Sequence, residues 1–141
     1  MRPLLLFLLL AGCMSMTKEA GDADPLRLQG AWFGLDDSGA TWWRLQLDEG
    51  RRGRGGFETN GAVARYEITN WSGDAQGKVR IDMVRGKDAT ALDRAPPSIP
   101  LTGRGDGTRL RLKWGKTEIE LLREEQFLAA HGRLKKRMET R

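Results

Sequence analysis

The chain has few of the side chains that most often carry chemistry. Its 141 residues include one cysteine, Cys13, one histidine, His131, and one tyrosine, Tyr66. A single thiol excludes an internal disulfide and a multi-thiolate metal site. One histidine leaves little material for a nucleophile and base pair, and His131 falls on an apolar stripe, where it is expected to pack or cap. The acidic pairs Asp36-Asp37 and Glu124-Glu125 sit at a turn and a helix start, so no hydrolase follows from them. No enzyme activity, cofactor or metal is expected. The apolar run Leu4 to Leu10 has seven residues, against the roughly 20 needed to cross a bilayer.

What stands at the N-terminus is informative. Arg2, the run Leu4 to Leu10 and the small residues after it match the three regions of a secretory signal. Leu10-Ala11-Gly12-Cys13 then resembles the lipobox of bacterial lipoproteins: an aliphatic residue, two small residues and a cysteine. The resemblance implies cleavage before Cys13 and acylation of its thiol and new amino group, with diacylglycerol and a fatty acid such as palmitate. Two or more acyl chains would make a stable anchor. An Asp after the cysteine retains members of that family at the inner membrane. Met14 stands there, which implies the outer membrane, with the domain facing the periplasm.

Three regions follow from this: 1–12 a signal, 13–25 a lipidated N-terminus and tether, and 26–141 a folded domain. The tether expectation rests on the few apolar residues between Met14 and Pro25 and on the closing Asp-Pro pair. About 115 residues can bury a core without covalent staples. The net charge is +5, or +4 once Arg2 leaves with the signal.

From Leu26 the pattern is short alternating runs between Gly, Asp and Asn, as in an antiparallel β protein. Leu26, Leu28, Gly30 and Trp32 share a face. After the turn Asp36 to Gly39, Trp43, Leu45 and Leu47 oppose Trp42, Arg44 and Gln46. Asp48 to Gly56 is expected as a loop before a short strand at Phe57. Ala64, Tyr66 and Ile68 share a face in the next run, and Val79, Ile81 and Met83 do so in Lys78 to Arg85. Asp88 to Pro97 is expected as a long loop, because two prolines cannot donate to a ladder. Strands at Ile99, at Leu110 to Trp114 and at Ile119 to Leu121 complete an all-β domain. The expected architecture is a meander or up-and-down barrel of seven to eight strands. Phe127, Ala130, His131, Leu134 and Met138 then recur at helical spacing, which predicts one short C-terminal helix on the barrel.

Gly30-Ala31-Trp32 resembles the Gly-x-Trp signature of the calycin group, the lipocalins and avidins. In lipocalins a late arginine packs over that tryptophan, and the resemblance gives this part to Arg123. Leu28 to Trp32 followed by Gly39-Ala40-Thr41 is similar to the first avidin hairpin. Gly34 and Ala40 replace the ligand-binding Asn and Ser, so biotin binding is not implied.

The function expected is binding. Trp43 and Tyr66 are candidate walls for a small apolar ligand inside the barrel. Trp42 and Trp71, off the core face by alternation, are candidate anchors for an envelope partner. Arg51, Arg52 and Arg54, and Lys135, Lys136 and Arg137, form two basic clusters suited to anionic surfaces. Nucleic acid is not an expected partner of an exported protein. The alternative is a periplasmic inhibitor or immunity protein against a cell-wall-attacking enzyme.

Overall fold

The computed structural model describes residues 24–90 and 95–139, with side chains of 87–90 and 132–139 outside that description. Eight strands follow one another: β1 (Gly30–Asp36), β2 (Thr41–Leu47), β3 (Gly53–Thr59), β4 (Ala62–Gly73), β5 (Lys78–Thr90), β6 (Ser98–Gly105), β7 (Arg109–Trp114) and β8 (Thr117–Leu122). Helix α1 (Glu124–Glu139) comes after them. Each strand pairs antiparallel with the next, and β8 returns to β1 from Phe33↔Leu122 to Asp36↔Ile119, closing the barrel. Closure leaves no unpaired edge. This eight-stranded antiparallel barrel with a C-terminal helix is compatible with the calycin architecture. No helix among the described residues is long and apolar enough to cross a membrane.

Alternation fills the interior. Trp32, Trp43, Leu45, Ile81, Met83, Leu101, Leu110, Leu112, Ile119 and Leu121 are each almost fully buried. A small barrel of this strand number is just wide enough for side chains to fill. At one end Leu28 acts as a plug, and its carbonyl accepts the Trp32 Nε1–H bond at 2.8 Å. Arg123 closes this end, with its guanidinium 3.8 Å from the Trp32 ring centroid. Gly30 has φ +114°, and a Cβ there would lie 2.9 Å from Arg123 Nη1. Both the backbone angle and the close approach therefore require glycine.

The structure corrects several boundaries. The first strand starts at Gly30, because the Asp24 carboxylate accepts from the Leu28 and Gln29 amides at 2.7 and 2.9 Å and holds the segment before it as a turn. Asp24 and Pro25 thus belong to the folded unit, while 1–23, with Cys13, lie outside the described residues. The expected loop Asp48 to Gly56 is a loop only to Arg52, and the glycine-rich remainder is β3. The strand expected to end at Arg85 continues to Thr90, where Thr90 pairs with Ala64 across an irregularity in the ladder.

Along β4 the register shifts between Ile68 and Asn70. A bulge of this kind inserts one residue and inverts the phase of alternation. Trp71 is consequently 3% exposed and part of the core, not an outward anchor.

Helix α1 forms where the apolar spacing predicts it and lies against β1 and β8. Its Phe127 ring is 5.8 Å from Phe33, which points outward from β1, and 5.2 Å from His131. His131 itself departs from helical angles (φ −140°, ψ 39°), a kink immediately before Gly132, the weakest helix former of the segment.

Candidate functional site

The barrel places the sequence candidates in three separate environments. Trp43 and Tyr66 are inside, at the end opposite Leu28. The Trp43 ring is 4.8 Å from Phe57 and 6.2 Å from Trp114, and Phe57 is 6.0 Å from Tyr66. These rings pack on one another, so an apolar ligand entering here would have to displace them. Trp43 Nε1 is buried without a hydrogen-bond partner among the described residues.

Tyr66 donates its hydroxyl hydrogen to the Pro96 carbonyl at 2.7 Å. Burial raises its pKa above the ordinary phenol value, with the positive charge of Arg85 opposing the rise. Tyr66 is the only tyrosine, so the tyrosinate absorbance of the whole protein reports this one group. Folded protein should ionise above the usual pKa of about 10, and urea-unfolded protein at that value. Because the folded pKa is the higher one, the stabilisation is complete below the unfolded value and is lost as pH rises through the folded value. Identical titration in both states would refute the burial of this hydroxyl.

Trp71 and Arg51 belong to the opposite rim. Trp71 Nε1 donates to the carbonyls of Asp48 and Arg52, each at 3.0 Å, and Arg51 Nη1 donates to the Trp71 carbonyl at 3.2 Å. The two side chains fasten the β2–β3 loop to the barrel. Arg51 has φ 60° in a turn where Gly50 also has φ 70°. The basic cluster Arg51, Arg52 and Arg54 is therefore divided: Arg51 is structural, Arg52 is exposed on the loop, and Arg54 is on β3. The side chains of Lys135, Lys136 and Arg137 lie outside the described residues, on the last turns of α1.

Trp42 and Arg54 come together on the outer face of β2, β3 and β4. Partners directly across an antiparallel ladder share a face, and the registers define three rows here. Trp42, Glu58 and Val63 form the first, Arg44, Gly56 and Arg65 the second, and Gln46, Arg54 and Glu67 the third. The first two rows, with Gln46, Arg54 and Asp48, frame an outward-facing groove of about 530 Å³. Its centre is hollow because Gly56 has no side chain. A Cβ at Gly56 would collide with the Ala64 carbonyl oxygen, so the floor cannot be filled without moving β4.

The groove has a defined electrostatic character. Arg44, Arg54 and Arg65 stand against the carboxylates of Asp48 and Glu58, an excess of one positive charge. The Arg44 guanidinium is held 5.7 Å from the Phe33 ring centroid. Glu58 is only 6% exposed, in register between Trp42 and Val63. Gln46 donates to Asp48 Oδ1 at 3.2 Å along one rim. Donors, acceptors and one indole thus line one concave surface, the make-up of a small-molecule site.

Sequence reasoning missed Gly56, Glu58 and Arg65. The alternation of β2 already puts Trp42, Arg44 and Gln46 on one face, which is the available signal. The strand that completes the groove was hidden in a glycine-rich stretch with loop composition.

The chain matches no protein-family model, no curated protein and no solved structure.

Proposed function

We propose that this protein is a non-catalytic binding module of the bacterial envelope, lipid-anchored at Cys13, that holds its partner on the outer groove of β2, β3 and β4. The groove is the observation that carries the reading: Trp42 beside three arginines, hollowed over Gly56, on a barrel whose interior is occupied by its own side chains. An interior apolar ligand is the weaker form of the same idea, since Trp43 and Tyr66 are committed to packing.

The anchor and the groove are tested separately. Cys13→Ala should move the protein from the membrane fraction to the soluble envelope fraction, because one removed thiol removes the acyl chains. Continued membrane association of Cys13→Ala would overturn the lipid reading. For the groove, cross-linking in envelope extract should give a partner adduct that Trp42→Ala and Arg65→Glu each abolish. An adduct unaffected by both substitutions would place binding elsewhere.

A further inference from the structure

We infer that the groove on β2, β3 and β4 recognises an anionic saccharide, a sugar ring carrying one carboxylate, with the anion over Gly56 between Arg44 and Arg65 and the ring against Trp42. The inference rests on the binding-module reading and names its ligand class.

The register supplies the geometry. Arg44 and Arg65 are the two cross-strand neighbours of Gly56, so their Cα atoms lie about 10 Å apart, two strand spacings. Two long side chains thus flank a glycine floor that either can reach across, and planar guanidinium forks brought over it would match a carboxylate. Neither arginine makes an ion pair among the described residues. The Arg44 guanidinium lies 5.7 Å from the Phe33 ring on β1, and reaching over Gly56 exchanges that contact for the ligand carboxylate.

Trp42 is two residues before Arg44 on the same face of β2, about 7 Å away along the strand. The C–H face of a pyranose is apolar and matches an indole ring, while its hydroxyls need both donors and acceptors at the rim. The groove has both: the arginines and the Gln46 amide donate, and the Asp48 carboxylate and the Gln46 carbonyl accept. This mixture selects against a polyanion or an acidic peptide, which Asp48 and Glu58 would repel, and suits a polyol with a single charge. A volume of about 530 Å³ lies within the roughly 300–1,000 Å³ of small-ligand sites.

The test uses the full chain in mild detergent, titrated with galacturonic acid and, in parallel, with its neutral counterpart galactose. Calorimetry and tryptophan fluorescence should show saturable binding of the acid, with at least a tenfold preference over the neutral sugar. Arg65→Gln and Arg44→Gln should each weaken the acid by about tenfold or more and reduce the preference, and Trp42→Ala should weaken both sugars. Arg52→Gln, on the exposed loop outside the groove, should leave both affinities unchanged, and the thermal transition of each variant shows that it is folded. No saturation by about 10 mM, equal affinity for the two sugars, or equal effects of Arg52→Gln and Arg65→Gln would each overturn the inference. Failure here with a partner adduct that still depends on Trp42 and Arg65 would overturn only the saccharide. Loss of the adduct dependence as well would overturn the binding groove itself.

Discussion

Arg123→Ala should lower the unfolding free energy by about 3 kcal/mol and the melting temperature by roughly 10 °C or more. The guanidinium joins parts of the chain far apart in sequence. Its Nε donates to the Gly107 carbonyl at 2.9 Å, Nη1 to Gln29 at 3.0 Å and Ala31 at 3.4 Å, and Nη2 to Arg27 at 2.6 Å. Truncation leaves these carbonyls without their donor and strips the cation from the Trp32 face. Charged hydrogen bonds contribute about 1.5–3 kcal/mol each and a partly desolvated cation–π contact about 1–2. The bonds share one side chain and some solvent, so their sum is an upper bound. Burial draws the pKa of Arg123 down while Asp24 raises it, and arginine still stays charged at neutral pH. Arg123→Lys should recover less than half of the loss, because an ammonium reproduces the charge but not the planar fork. Chemical denaturation measures both variants, and hydrogen exchange at Leu28 should report the plug loosening first. A loss below about 1 kcal/mol for Arg123→Ala would show that solvent, rather than this side chain, satisfies the carbonyls.

The same residue shows how far the sequence could be followed. The meander order and a count of seven to eight strands follow from alternation and turn residues, whereas closure is the long-range pairing of β1 with β8, which the order of apolar positions left open between a meander and a barrel. Arg123 over Trp32 came from resemblance, and the structure gives its physical reason in the tight approach over Gly30. The groove was half legible. Its β2 edge followed from period-two alternation at Trp42, Arg44 and Gln46. Its β3 floor was hidden because Gly53 to Gly56 has the composition of a loop, and strand status there comes from flanking strands that pair with it. Cross-strand register is a tertiary property, so Arg65 could not be placed opposite Gly56 from local pattern. Trp71 failed for a related reason: a bulge changes phase without a local sequence signal, and the indole that alternation turned outward is turned in.

Trp71→Ala should cost about 3–5 kcal/mol, the range for removing a large aromatic from a packed core. Substitution with phenylalanine separates packing from hydrogen bonding. Trp71→Phe keeps a ring but removes the donor shared by the Asp48 and Arg52 carbonyls, both at 3.0 Å. The Arg52 carbonyl still accepts from the Asp48 amide at 2.8 Å, so the Asp48 carbonyl loses most, and a cost of about 2 kcal/mol is expected. Trp43→Phe provides the contrast within the same core. Its Nε1–H is buried with no partner among the described residues, so removing it relieves a desolvated donor and offsets the lost ring volume, leaving a net cost of about 1 kcal/mol or less. Urea denaturation of the two phenylalanine variants should therefore rank Trp71→Phe as the more damaging by about 1 kcal/mol. The reverse order would mean that the Trp43 indole has an acceptor and that the Asp48–Arg52 loop is held by other contacts. Because that loop joins the strands bearing Arg44 and Arg54, Trp71→Ala should also weaken galacturonate binding without touching the groove. Trp43→Phe, behind the sheet, should leave that affinity within about twofold, since a core change that preserves register leaves the outer rows in place.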